Sequence, residues 1–516
     1  MTKKRFLLNT AIIAGTSVIL KCAGLFFRVY LSNTIGAEGM GLYQLIFSMY
    51  VFLISLSSAG VSLSVTRIVS EQMGRCALSA KRQVVKDACI YVFCTFLIIL
   101  IAMSLFASEI CEHFLNDRRC TESIKILTLS LVFIGFSAVF KGYFTAEGKA
   151  YHISNSQILE DFVKIFTVVF VFAKYGVHDI VYACRVIMWS IVLAEMSSCA
   201  FLYVFYKKSV RQASAHCKKN ITKRLLTTIF TISLGSIITS FLHTAENVLI
   251  PSGLLKYGNS AKNALSLYGM LRGMAMPILL FPSSVINAFS MMLVPEITKA
   301  DAGGEKRKIN YAIYRVFQFT FVISIFISGI FIAYSDNIGL LVYKSSDVGK
   351  IIKILAPYLP FMYVDGVIFA ILAGLDMQKT ALAITVADSL SRVGLIYFLV
   401  PKFGFSGIII TLYISNLATP ILGSIALFKK TGAKINLFKI VILPCAAAFG
   451  STVLSNALSG TNLMIGIFLS GILYIVFVRT ANILSHDDII WILSMVKGKK
   501  KKRICSKINE NKLKII

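Results

Sequence analysis

Apolar residues along this chain fall into long blocks of 18 to 28, separated by short polar segments. A hydrocarbon core about 30 Å thick needs about 20 residues of helix to cross it, so each block is long enough to span a bilayer. Shorter runs would suit a soluble core equally well. The blocks lie near 7–31, 42–66, 86–107, 123–146, 153–175, 180–206, 225–250, 264–292, 311–334, 351–375, 380–400, 405–428, 437–457 and 462–479, which predicts fourteen transmembrane helices. The first block is too long for the apolar region of a cleaved signal, and no A-x-A-like site follows it.

Composition sharpens the class. Of the 516 residues, 57% are hydrophobic and only 15% charged, where a soluble domain carries about a quarter charged residues. The net charge of +29 would ordinarily raise nucleic acid as a partner, but its placement excludes that. With the N-terminus inside, most of the 53 Lys and Arg fall in alternate segments: Lys3 to Arg5, the loops 67–86, 207–224, 299–315 and 429–439, and the tail. This is the bias that orients helices in membranes, and it predicts a multi-pass protein of the cell membrane with both termini cytoplasmic. The run from Lys497 to Arg503 is read either as a patch for anionic lipid headgroups or as a solvated tail. The eleven cysteines show no metal-ligand spacing. Cys111 and Cys120 share one expected external loop, where a disulfide is one of two alternatives.

The chain also repeats itself. A shift of 225 places Leu42-Tyr43 on Leu267-Tyr268, Ser58 on Ser283 and Glu71 on Glu296. A shift of 228 places Lys174-Tyr-Gly-Val177 on Lys402-Phe-Gly-Phe405, Glu160 on Asp388 and Lys164 on Arg392. Two nearly equal offsets predict a six-helix repeat whose halves are related by an axis along the membrane normal, with a cavity between them. The expected fold is an all-α polytopic membrane protein. It has a lobe over 1–224, a second over 225–430, two further helices over 431–480 and a basic cytoplasmic tail over 481–516.

Charge inside a bilayer costs about 2.5–3.5 kcal/mol per residue on insertion scales, so each instance needs a reason. Lys21 lies near the middle of the first span and Arg28 two turns further along the same face. Arg28 is read either as snorkelling outward or as facing the cavity with Lys21. Arg272 lies ahead of Pro277 and Pro282, and two prolines in one span break the helix and free backbone carbonyls. A forked guanidinium beside such a break suits a phosphate; the alternative is a structural partner for Glu246 in the preceding span. Glu246 itself reads either as an ion or proton site or as a carboxylate on the rim. Glu160/Lys164 and Asp388/Arg392 are spaced i,i+4 and read as neutralising pairs or as ion-coupling groups. Glu195, Arg185 and Asp365 carry a weaker signal of the same kind.

No P-loop, no G-x-S-x-G and no H-E-x-x-H occurs in the chain. Transport by a protein of this kind draws on an ion gradient, the membrane potential or the substrate gradient, with no enzymatic step and no cofactor. A scaffold for envelope synthesis remains the reading from another class.

The pattern Lys21-x-x-Gly24-x-x-x-Arg28 followed by Ile35-Gly-Ala-Glu-Gly-Met-Gly-Leu-Tyr43 resembles the polysaccharide-biosynthesis transporters of the multidrug/oligosaccharidyl-lipid/polysaccharide superfamily. Leu267 to Pro277 and Leu293 to Lys299 carry the same likeness in the second half. The resemblance implies export of an undecaprenyl-pyrophosphate-linked saccharide, in a sporulation branch the peptidoglycan precursor of the spore cortex, with peptidoglycan synthesis enzymes as neighbours. It also implies that Lys21, Arg28 and Arg272 bind substrate. Arg272 matches the helix 8 arginine of the MurJ-type flippases in its R-x-x-x-x-P context, and Arg28 the second basic position of helix 1. Lys21 stands where those flippases carry Arg, and their acid before helix 2 has only Glu38 nearby. An ion-coupled drug exporter of the same superfamily is the rival within transporters; it would more naturally line its cavity with acids.

The topology is directly testable. A reporter fused after Lys430 should read as cytoplasmic and one fused within 459–461 as external; the opposite pattern would remove the fourteen-helix map.

Overall fold

The computed structural model describes residues 3–74, 78–209, 220–433, 436–459, 463–481 and 483. The polybasic run and most of the 481–516 tail lie outside these residues. Helix accounts for nearly all of the described chain, and no strand occurs among the described residues. That follows from the solvent: without water to satisfy backbone N–H and C=O groups, a segment crossing lipid must satisfy them internally.

The helices run α1 Lys3–Ser58, α2 Val61–Gly74, α3 Leu78–Glu109, α4 Thr121–Glu147, α5 Ala150–Tyr175, α6 Ile180–Ser209 and α7 Asn220–Lys256. They continue as α8 Ala261–Tyr268, α9 Met276–Leu280, α10 Ser283–Ala302, α11 Lys306–Tyr343, α12 Ser346–Leu355, α13 Leu359–Gly374 and α14 Gln378–Phe403. The last three are α15 Phe405–Thr431, α16 Leu443–Ser459 and α17 Leu463–Thr480. Among the described residues eleven helices are long and apolar enough to cross a membrane, the first of them the 54-residue stretch Ile19–Gln72. That stretch takes in 19–31 of the first expected span and all of the second, joined at Gly36, whose φ of 70° and ψ of −177° kink α1; L side chains rarely adopt such a conformation. α5 and the α8–α10 column lie outside the eleven, yet the 26 residues of α5 extend about 39 Å at 1.5 Å per residue. With these included the total is consistent with fourteen.

Two expected spans are broken. The second is interrupted at Ala59–Gly60, where α1 gives way to α2. The eighth is divided into α8, a π-helical turn over Gly269–Ala275, α9 and α10. Pro277 has no N–H and crowds the carbonyl one turn before it, and wide π turns commonly absorb such a mismatch at functional sites.

α4 packs on α2, α3 and α6, and α6 on α5. α14 packs on α7 and α15, α13 on α10, α11 and α15, while α16 and α17 pack on one another and on α11. α1 and α7 cross between these sets. At one end of the bundle the sets approach backbone to backbone. A Cβ on Gly41 would lie 2.1 Å from the Leu265 carbonyl oxygen, and one on Gly269 would lie 2.0 Å from that of Ala37. Around this seam the Asn33 amide donates to the Val342 carbonyl at 3.0 Å, the Asn116 amide to the Ser252 hydroxyl at 2.9 Å, and Arg119 holds Glu38 at 2.9 Å and Asp117 at 2.8 Å. At the far end α7 carries bridging contacts, Arg224 to Glu71 at 2.8 Å and the Thr222 hydroxyl to Asp87 at 2.6 Å. Cys111 and Cys120 are buried near the seam as free thiols.

Closing backbone on backbone leaves no room for a methyl group. Gly269→Ala should lower stability by about 1–3 kcal/mol, the range for overpacking, read as a lower melting temperature of the purified protein. Gly24→Ala, where nothing lies within 4 Å, should leave the melting temperature unchanged or raise it.

Candidate functional site

The structure gathers one cluster of intramembrane charge on four elements: α7, the π turn, α13 and α14. Glu246 on α7 is 2% exposed, so it is no rim carboxylate. Its Oε1 accepts a charge-assisted hydrogen bond from the Arg272 guanidinium, and Nη1 of Arg392 lies 4.0 Å from the same oxygen. Oε2 is 3.5 Å from Nδ1 of His243, one turn earlier on α7. Glu246 therefore stands between two guanidinium groups. The Arg272–Glu246 pairing weighed from the sequence is formed. Nε of Arg272 is also buried with no hydrogen-bond acceptor, so the carboxylate does not exhaust this arginine's donors.

The π turn that carries Arg272 is fixed by its neighbours. The Tyr343 hydroxyl donates to the Met274 carbonyl at 2.9 Å, and the Tyr363 hydroxyl to that of Leu279. On the other side Gly273 packs against Met40 of α1. These contacts hold the wide π turn in place at the junction of the two helix sets.

Asp388 and Arg392 form the expected i,i+4 pair at 3.0 Å. Ser415 of α15 closes it into a ring: its hydroxyl accepts from Arg392 Nε at 2.5 Å and donates to Asp388. Beside this network lies a cavity of about 330 Å³, bordered by Arg272, Arg392, Asp365, Asn287, Asn416 and Ser283, with apolar residues between. Lys21 and Arg28 do not line it. Lys21 is exposed and Arg28 half-buried, and neither forms an ion pair among the described residues.

The Glu160/Lys164 pairing is not the one that forms. Lys164 pairs instead with Asp161, three residues before it on α5, and Glu160 faces Lys141 of α4 at 3.7 Å. An i,i+3 neighbour occupies the same helix face as an i,i+4 one, so Asp161 competes for the ammonium and Glu160 is left to a neighbouring helix. Glu195 of α6 lies beside Glu160, giving the first helix set its own charged cluster. Sequence spacing missed Lys141, Asp161 and Ser415 as partners; only the doubled acid at 160–161 gave any signal.

Removing one member of a buried pair strands the other. Arg392→Met should cost about 3–5 kcal/mol, and adding Asp388→Leu should recover most of it; thermal unfolding of the wild type, both single variants and the double variant gives the coupling energy.

Comparison with known proteins fits this geometry. Stage V sporulation protein B of Bacillus subtilis (strain 168) is 26% identical over 423 residues, covering 79% of this chain and 80% of that protein. The structure of the lipid II flippase MurJ in an inward closed conformation covers 94% of this chain and 100% of its own, with TM-score 0.72 and 13% identity. An inward-facing multidrug resistance MATE family transporter covers 80% of this chain and 94% of its own, with TM-score 0.67 and 16% identity. The fold is thus shared with transporters of the MOP superfamily. Residues 6–301 match the polysaccharide biosynthesis protein family over more than half the chain, and the chain belongs to that family.

Proposed function

We propose that this protein is a flippase that exports an undecaprenyl-pyrophosphate-linked saccharide, a lipid II-type precursor of spore-cortex peptidoglycan, by alternating access. The observation that carries the reading is Arg272: a guanidinium on a broken helix at the junction of the helix sets, bordering a cavity, with one donor left without an acceptor. An anionic head group is the cargo such a site recognises, because a guanidinium offers forked donors to phosphate oxygens. Lys21 and Arg28, on the helix that crosses between the sets, supply further positive charge along the route. The family, and the likeness to proteins named for sporulation and for lipid II flipping, support the same cargo class.

The halves 1–224 and 225–430 act as the two moving lobes. Positive charge in alternate loops orients both termini toward the cytoplasm, which puts the Gly41–Gly269 seam outside. The sealed seam then corresponds to a state closed to the outside. Glu160, Lys164, Asp388 and Arg392 neutralise charge within each lobe and are the candidates for ion coupling.

Arg272→Ala alone would strand Glu246, a loss of about 3–5 kcal/mol. The decisive variant is therefore Arg272→Ala with Glu246→Ala. It should accumulate in the membrane like the wild type and fail to export precursor, while Arg272→Lys should export weakly. Restored export in the double variant would reduce the arginine to a counter-ion and overturn the reading.

A further inference from the structure

The cavity beside the π turn is asymmetric in charge. Arg272 and Arg392 border it, whereas their carboxylate partners Glu246 and Asp388 do not. The two arginine side chains keep 20% and 16% of their surface exposed, against 2% for Glu246. Glu246 thus stands behind the cations, Asp388 at 14% exposure lies outside the lining, and Asp365 is the single acid in it. Two buried polar atoms in this lining have no hydrogen-bond partner, Nε of Arg272 and Oδ1 of Asp365. A buried cationic N–H without an acceptor costs free energy until one arrives.

We propose that this cavity is an oxyanion site that takes a phosphate or diphosphate group between Arg272 and Arg392, with Arg392 of α14 as its second guanidinium. Glu246 holds Arg272, while Asp388 and Ser415 hold Arg392, 4.0 Å from the same Glu246 oxygen, so both guanidiniums are in place before the anion arrives, each with donors to spare. Two guanidinium groups from different elements suit a group with oxygens on several sides better than a planar carboxylate, which a single fork satisfies. At about 330 Å³ the cavity stands at the lower end of ligand-site volumes. It accommodates the phosphate portion of a ligand, while a lipid tail or saccharide stays outside. The site's chemistry stands on the cavity alone; only the identification of a lipid-linked diphosphate as its occupant rests on the function proposed above.

The test is a binding titration on the purified full chain in nanodiscs, with inorganic pyrophosphate in one arm and undecaprenyl pyrophosphate in the other. Wild-type protein should bind both. Arg392→Gln paired with Asp388→Asn removes the guanidinium without stranding a charge, and it should weaken both ligands roughly ten- to hundredfold with the melting temperature retained. Asp365→Asn should bind as tightly as the wild type or tighter. Undiminished pyrophosphate affinity in the folded Arg392→Gln/Asp388→Asn variant would overturn the inference, as would loss of binding in Asp365→Asn. Binding of inorganic pyrophosphate without the lipid-linked form would support the site and count against the lipid-linked cargo instead.

Discussion

A bilayer offers no counter-ions, and the arrangement around Glu246 follows from that. The carboxylate sits where α7, the π turn and α14 converge, and it touches a guanidinium from each of the other two. Each charge alone would cost about 2.5–3.5 kcal/mol on insertion scales. Two arginines with two carboxylates, Glu246 and Asp388, leave the group neutral, and Ser415 satisfies donors and acceptors that the ions do not. Because the partners come from separate helices, neutrality is reached only when those helices are assembled. The network therefore fixes their relative placement as well as permitting their burial.

That placement explains why the eighth span is broken where it is. An unbroken helix through 261–302 would present side chains at regular 100° steps. The π turn at Gly269–Ala275 shifts that phase at Arg272, and the two prolines keep the column from re-forming as one straight helix. Tyrosine hydroxyls from α11 and α13 then take carbonyls along the broken stretch. The local irregularity is tolerated because its loose backbone groups lie against protein.

Much of this was legible in the sequence, and the limits have physical causes. Apolar block length gave the spans, since the bilayer demands a fixed helix length whatever the packing. The proline pair at 277 and 282 announced the broken helix, and the spacing of Asp388 and Arg392 announced their pair. Glu160 with Lys164 carried the same spacing and did not pair, because Asp161 lay on the same face and Lys141 approached from α4. The meeting of Arg392 with Glu246 was illegible: 146 positions separate the two residues, and only the packing of α14 on α7 brings them together. The break at Ala59–Gly60 was hidden inside a block apolar enough to read as continuous.

The seam where Gly41 and Gly269 bring backbones together has a kinetic consequence. Interlocked side chains must change rotamer before two helices can part, and each change adds to the barrier. A contact between glycine backbone and carbonyl oxygen has no rotamers to unlock; it is held by dispersion, which falls steeply with the first half-ångström of separation. Such a joint is firm when shut and yields early in its travel. The slow step of any opening then lies in the side-chain contacts that ring the seam, Asn33 to Val342, Asn116 to Ser252 and Arg119 to Glu38, which have to be broken and remade.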